Sequence, residues 1–423
     1  MNSGIFEIDG VEYPDADASD PIALGWMQGS PPPPAKQIRF EDDRFLEFPQ
    51  IRWTLSHLRE LAPTAAIWRA NVAPSDLGVV PHLESSIDAL AFADLHGRKL
   101  TWAQSLKDTY TDGIVVLHRG RRIYERYFGA LQAHRPHACF SITKSYAATL
   151  AATLLHERVL DETKTVAHYL PEMIGTAYED ASLRQVLDMQ IGVEFSESYA
   201  DPKAHFWDYG RAGGLLPRGP DYTGPKNFYE YLRTLRKQGA HGAAFSYKTA
   251  NTEVLCWVMK RVTGATLEAM LSERIWSQIG CEEDGYLTVD AIGVAMGGAG
   301  MCATLRDLCR FGELLRCDGA WHGKQVIPAE VIADIRRGSD PAKFAMAGYT
   351  LLPGYSYRNM WWVSHNALGV FEGRGIHGQR LYIAPKAELV IARFCSHPVA
   401  PNAANDPITL PAFAAMSQLL MGA

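Results

Sequence analysis

Residues 139–157 read Cys139-Phe140-Ser141-Ile142-Thr143-Lys144 followed by SYAATLAATLLHE. Ala147, Leu150, Ala151, Leu154 and Leu155 recur at helical spacing, which predicts a buried helix starting beside Ser141. Lys144 stands three residues on, one turn along the same face. Burial strips a lysine of hydration, lowers its pKa and lets it act as a base on the neighbouring hydroxyl. The helix N-terminus adds free N–H groups and a positive partial charge near that hydroxyl. This S-x-x-K tetrad, the only one in the chain, is equally compatible with an N-cap serine beside a snorkelling lysine.

Two other stretches bear on the choice. Phe245-Ser246-Tyr247-Lys248-Thr249-Ala250-Asn251 precedes a helix with Val254, Leu255 and Val258 on its apolar face. Tyr247 can shuttle a proton if a cation holds its phenol near ionisation, and Asn251 either caps that helix or meets a substrate. Gly373-Arg374-Gly375-Ile376-His377-Gly378-Gln379 runs into a predicted strand pair, where its glycines let a carbonyl approach the backbone closely. It also matches G-x-G-x-x-G, but a strand follows where a dinucleotide fingerprint needs a helix. G-x-S-x-G, H-E-x-x-H and G-x-x-x-x-G-K-[ST] do not occur.

Outward from these motifs, GIVVLHRGRRIYERYF (113–128) reads as two strands about a turn at Arg119-Gly120. LYIAPKAELVIARF (381–394) repeats that form about Pro385-Lys386. Helical periodicity covers 142–158, 181–190, 226–238, 251–263, 266–278 and 303–316, and PITLPAFAAMSQLLMGA predicts a closing helix. IRWTLSHLRELAP, from 51, predicts a short amphipathic helix ending before Pro63. The expected fold is therefore α/β (α+β): an antiparallel sheet drawn from both chain ends, flanked by helices, with a mainly helical domain inserted. The expected boundaries are an extended arm over 1–52, a sheet domain over 53–170 and 290–423, and the insertion over 171–289. Pro31 to Pro34 favour extension within the arm. A small-molecule site belongs in the cleft between the two parts.

Composition excludes other classes. The 423 residues are 47% hydrophobic, 21% charged and 10% aromatic, ordinary globular usage. Lys+Arg 41 against Asp+Glu 47 leaves a net charge of −6, without the basic stripe of a nucleic-acid binder. Seven cysteines without a C-x-x-C pair indicate neither a disulfide framework nor a zinc site, and free thiols fit a reducing, cytoplasmic setting. The N-terminus lacks a signal-peptide pattern, and no apolar run is long enough for a membrane span. The oligomeric state stays open, a homodimer among the options.

Together and in this order, the three motifs resemble the serine β-lactamase and penicillin-binding-protein superfamily, whose signature includes S-x-x-K. The resemblance is closest to the class C-like branch, and within it to 6-aminohexanoate-dimer hydrolases and related carboxylesterases. SITKS, VLDMQIGVEFSESYADP, GAAFSYKTANTEVLCWVMKRVTG, TLRDLCRFG, Trp361-Trp362 and GIHGQ carry it, from about Trp53 onward. It implies Ser141 as the acylated nucleophile, Lys144 as its base and Tyr247 as the proton shuttle. The oxyanion hole would use the N–H groups of Ser141 and Ile376. Tyr199 falls on a tyrosine covering the substrate amide and Trp362 on a tryptophan lining the cleft, with Asn251 and His377 as further substrate contacts. No metal or organic cofactor is implied.

The departures concern substrate. Thr249 stands where class C enzymes carry the asparagine of Tyr-x-Asn, and Lys-Thr-Gly is missing. Its slot falls to Gly373-Arg374-Gly375 or to His377-Gly378-Gln379, depending on register. Where related enzymes place an acid for a substrate ammonium, WDYGRAGG offers Asp208 or, with a gap, Gly210. The leading expectation is hydrolysis of a linear amide or short-chain ester through an acyl-enzyme. The alternatives are a β-lactamase or D-amino-acid peptidase, and an inactive homologue that only binds its ligand.

Overall fold

The computed structural model describes residues 5–422 apart from positions 9 and 43. Its main sheet has seven strands: β1 (Thr111–His118), β2 (Arg121–Tyr127), β3 (Ser356–Arg358), β4 (Trp361–Val363), β5 (Phe371–Gly375), β6 (Gln379–Ala384) and β7 (Leu389–Cys395). Every adjacent pair in the order β3-β4-β5-β6-β7-β1-β2 is antiparallel. The β7–β1 ladder, from Leu389 opposite His118 to Phe394 opposite Gly113, joins the late strands to the early hairpin. Both expected hairpins are present, and so is the expected sheet built from two distant stretches of chain.

Strand period explains why both faces of this sheet are covered. Ile114 and Val116 on β1, with Leu389 and Ile391 on β7, face one core with Trp102, Phe413 and Met416. Val115, Leu117, Val390, Ala392 and Phe394 face the other, with Leu308, Phe311 and Tyr146. Each such aliphatic or aromatic side chain contributes roughly 1.5–3 kcal/mol on burial. The first core is roofed by the closing helix Asp406–Met421, the second by α1 (Ile142–His156) and the helix Leu305–Arg316.

α1 is buried on all sides from Ile142 to Leu154, so its polar groups need partners inside the protein. Thr149 and Thr153 donate to carbonyls one turn back, at 2.7 and 2.9 Å, and Ser145 donates to the Met360 carbonyl at 2.9 Å. A four-stranded sheet of Thr64–Ile67, Gly285–Thr288, Met301–Ala303 and His137–Ala138 lies beside α1. Its strand His137–Ala138 leads directly into Ser141.

Several elements differ from expectation. The segment expected as an extended arm forms a hairpin, Ile5–Ile8 against Val11–Pro14, and buries Ile38, Phe45 and Ile51 against Phe140 and Tyr286. Its apolar residues are too many to stay in solvent. The predicted 51–62 helix is one turn, Ile51–Thr54, and a 3-10 turn, Leu58–Glu60. The 181–190 and 226–238 helices shorten to Leu183–Leu187 and Phe228–Leu232, while 266–278 is interrupted by a π turn at Ser272–Trp276. Strand Gly285–Thr288, within the expected insertion, pairs with strands on either side of it in sequence. Among the described residues no helix is long and apolar enough to cross a membrane.

A buried charge cluster ties the closing helix to the sheet. Arg380 donates to Asp406 at 2.6 Å and to Glu372 at 3.1 Å, and Arg374 bridges the same two carboxylates. All four side chains are at most 5% exposed. Removing one partner leaves an uncompensated buried charge. Asp406→Ala is therefore expected to destabilise the protein by about 3–5 kcal/mol. Equilibrium urea unfolding measures this, and a loss near zero would show that the cluster does not hold the helix.

Candidate active site

Ser141 is the residue before α1, and its hydroxyl makes no capping bond to the helix. The capping role allowed by the sequence is thus unfilled. Phe140 adopts a left-handed φ of 44°, an uncommon conformation for a bulky residue. The turn is fixed on both sides: the Cys139 N–H donates to Met301 at 2.8 Å, and Thr143 Oγ1 donates to the Phe140 carbonyl at 2.6 Å.

Lys144, fully buried, donates from Nζ to Ser141 Oγ at 2.9 Å and to the Gly298 carbonyl at 2.6 Å. Burial pulls its pKa down to about 8, against the opposing pull of Glu197 and Glu253. An appreciable neutral fraction is therefore available to take the Ser141 proton. Tyr247 lies with its ring 5.0 Å from Lys144 Nζ and stacks on Trp362 at 5.6 Å. Burial, then the Glu197 charge, pushes its phenol well above the usual range, with the Ser141 hydroxyl and Arg374 opposing. The nearest cation to the phenol's ring is thus Lys144, and burial outweighs it, which favours the neutral phenol.

Ile376 follows β5 at the start of a short 3-10 turn. It comes close to the Ser141 turn because Gly375 has no side chain; a Cβ there would lie 2.6 Å from the Cys139 carbonyl oxygen. Among the described residues, no hydrogen bond occupies the backbone N–H of Ser141 or of Ile376. Two such donors suit a developing oxyanion. Gly373 abuts Ile142 and Ser145, so Gly373-Arg374-Gly375 is the stretch opposite the start of α1.

Ser141, Tyr247 and Ile376 line a cavity of about 380 Å³, with Tyr199 and Trp362 in its wall. Tyr349, Leu351, Leu352, Pro401 and Ala403 make much of the remaining surface apolar. Three expected substrate contacts do not line it. Asn251 is buried inside the first turn of the helix Ala250–Thr263, accepting from the Tyr178 hydroxyl at 2.8 Å and facing the Met189 sulfur. Asp208 points outward, with a side chain 60% exposed, and pairs with Arg211 at 3.3 Å. Gly210 is buried against Leu216. His377 takes a left-handed φ of 60° and turns Nδ1 onto the His397 carbonyl at 2.7 Å; burial holds its imidazole down to about 4.

Two acids that the motifs do not contain complete the site. Glu197 lines the cavity and accepts from the Tyr199 hydroxyl at 2.9 Å, the Thr249 N–H at 2.7 Å and Thr249 Oγ1 at 2.5 Å. Thr249, at the position of the missing asparagine, is thus turned onto Glu197. Glu253 lies behind the site and holds the Gly297-Gly298 backbone. Among the described residues no three His, Cys, Asp or Glu side chains converge as metal ligands do.

Comparison with known proteins gives the family and the fold. The Beta-lactamase family model matches residues 102–414. A 6-aminohexanoate-dimer hydrolase from Paenarthrobacter ureafaciens is 34% identical over 391 residues, 92% of this chain and 91% of that protein. Among solved structures, a Bacillus anthracis protein assigned as a 6-aminohexanoate-dimer hydrolase superposes with a TM-score of 0.83 at 32% identity, covering 90% of this chain and 97% of that one. A D-alanine carboxypeptidase from Burkholderia cenocepacia shares the fold, with a TM-score of 0.52 at 15% identity over 75% of this chain and 96% of that one. The chain belongs to the Beta-lactamase family, as a serine hydrolase of the β-lactamase-like fold.

Proposed function

We propose that this hydrolase cleaves linear amides of the 6-aminohexanoate-oligomer type, or short-chain carboxylic esters, through an acyl-enzyme on Ser141. The observation that carries the reading is the 2.9 Å contact of a buried lysine amine with the Ser141 hydroxyl at the edge of a largely apolar cavity. Neutral Lys144 removes the hydroxyl proton as Oγ attacks the substrate carbonyl. The N–H groups of Ser141 and Ile376 take the oxyanion. Tyr247 passes its proton to the departing amine or alkoxide and is reprotonated from the lysine. A water molecule then attacks the ester of Ser141 as the neutral lysine takes its proton; the acyl–Oγ bond breaks, Oγ takes that proton back and the acid is released.

Amide or ester substrates fit better than β-lactams or D-peptides. With the Lys-Thr-Gly slot read as Gly373-Arg374-Gly375, its cation is Arg374, whose guanidinium already bridges Glu372 and Asp406 and lies 5.1 Å over the Trp362 ring. It is not a free ammonium awaiting a substrate carboxylate. The 34% identity to a 6-aminohexanoate-dimer hydrolase favours the linear amide. A cytoplasmic setting agrees with seven cysteines that are all free thiols.

Four outcomes are expected. Ser141→Ala loses about 10⁴-fold or more in kcat on p-nitrophenyl acetate with an unchanged circular dichroism spectrum. A variant retaining most of its turnover would remove Ser141 from the mechanism. Tyr247→Phe loses about 10²-fold on a linear amide but far less on the activated ester, whose leaving group needs no proton; equal losses would exclude the donor role. The third concerns pH. Lys144 must be neutral to act, and its pKa is lowered to about 8, so kcat/KM for the ester rises with pH and levels off above about 8. A flat profile from pH 6 to 9 would contradict a lysine base. A nitrocefin assay run beside these is expected to show turnover far below that of the ester.

A further inference from the structure

The Gly297-Gly298 segment carries the carbonyl that anchors the catalytic amine, and nothing in its own sequence fixes it there. What fixes it is Glu253, 3% exposed, in the first turn of the helix that follows Tyr247. Its Oε2 accepts from the Gly297 N–H at 2.9 Å, and its Oε1 accepts from the Gly298 N–H at 2.8 Å and the Tyr209 hydroxyl at 2.6 Å. The Gly298 carbonyl then accepts from Lys144 Nζ at 2.6 Å. Both glycines are required by the closeness of this approach. A Cβ on Gly297 would lie 2.3 Å from Cys256 Sγ, and one on Gly298 would lie 2.5 Å from Thr249 Cγ2 and 2.9 Å from Glu253 Oε1. Glu253 is absent from the cavity wall, so it cannot be there to meet substrate.

We propose that Glu253 is a positioning residue for the reaction, holding the Gly297-Gly298 wall so that the Gly298 carbonyl keeps the Lys144 amine in line with Ser141. The proposal rests on the reading of Ser141 and Lys144 as nucleophile and base. A buried carboxylate accepting three hydrogen bonds is a rigid anchor, because each donor left without it would lose a partner inside the protein. The same carboxylate is one of two acidic charges acting on Lys144; Glu197 is the other.

Charge makes the role measurable. The groups facing Glu253 are Lys144, Tyr209 on the helix His205–Ala212, Tyr178, Tyr229 and, on its own helix, Cys256. Those facing Lys144 are Glu197, Glu253 and the Tyr247 ring. Burial pushes the four facing Glu253 other than Lys144 upward, so they stay neutral across the working range. Glu253 itself is raised by burial to about 7, with its three donors and Lys144 pulling the other way. Its two oxygens accept all three of these hydrogen bonds, as a carboxylate's do, so it stands charged near Lys144. Removing a negative neighbour favours the neutral amine, so the rising limb of the pH profile must move to lower pH.

The test compares wild type, Glu253→Gln, Glu253→Asp and Tyr209→Phe by kcat/KM for p-nitrophenyl acetate across pH 5.5–9.5, a range set about these values. Thermal unfolding monitors the fold, and a fluorophosphonate labels Ser141. Glu253→Gln keeps the volume but loses the charge and sets an amide N–H against the Gly297 N–H. Its limb is expected to move down by about one pH unit, with kcat about tenfold lower. Glu253→Asp keeps the charge on a shorter arm, so its limb stays near that of wild type while kcat falls. A merely structural role would lower the unfolding temperature without moving the limb. Wild-type limb and kcat in a folded Glu253→Gln would overturn the proposal. If that variant does not fold, Tyr209→Phe decides: removing one donor should lower kcat by about threefold, and an unchanged kcat and limb would overturn it. Failure of the underlying reading is seen separately, as wild-type enzyme whose Ser141 takes no fluorophosphonate label.

Discussion

Lys144 has no exposed surface, and an ammonium ion taken that far from water is costly unless it is paired or gives up its proton. The fold around it does some of both. Burial brings its pKa to about 8, so that the amine is still mainly charged at neutral pH and loses that charge under mildly alkaline conditions. Glu197 and Glu253 keep it from falling further, and Ser141 and Gly298 each accept a hydrogen bond from it. That balance needs four separate stretches of chain, residues 141–144, 197, 253 and 297–298, brought within a few bonds of one amine.

The sheet topology makes such a meeting possible. β1 and β7 pair across the distance between the chain's early and late segments, and α1 lies on the face they share. β5 then runs past the start of α1, and Gly373 and Gly375 let its backbone come close. The Met301–Ala303 strand approaches from the other side and takes the Cys139 N–H. Ser141 is thus held between two sheets, on a turn whose left-handed Phe140 would not persist in isolation. The N-terminal segment adds to this restraint, since Ile38, Phe45 and Ile51 share a buried cluster with Phe140.

How much of this the sequence discloses follows from the range of each interaction. Ser141 and Lys144 are legible because one helical turn relates them, and the period-2 pattern of 111–127 and 379–395 likewise contains its own geometry. Tyr247, Tyr199, Trp362 and Ile376 are reached through family resemblance, and all four line the cavity. Asn251 misleads because its helix begins at Ala250, which turns the side chain inward to Tyr178. His377 misleads because its left-handed backbone directs the ring to the His397 carbonyl. Glu197 and Glu253 lie inside stretches that carry the resemblance, but what they hold is distant: Thr249 is 52 positions from Glu197, and Gly297 and Tyr209 are each 44 from Glu253. The helices capped by Ser182 and Asn227 start near where the periodicity places them but end sooner, at Leu187 and Leu232.

Substrate choice depends on the same distinction between charge that is present and charge that is available. The net −6 says nothing about the cavity, because its acids are already engaged. Glu197 takes three donors from Tyr199 and Thr249, and Asp406 lies between Arg374 and Arg380. Asp208, the acid that the sequence offered for a substrate ammonium, faces solvent with Arg211. What the cavity presents to an incoming chain is therefore aromatic and aliphatic surface, from Tyr349, Leu351, Leu352 and Trp362 to Pro401 and Ala403. Discrimination built on such walls acts through length and shape, at roughly 1–3 kcal/mol for each methylene matched or misplaced. It is on walls of this kind that the proposed preference for a linear acyl chain rests.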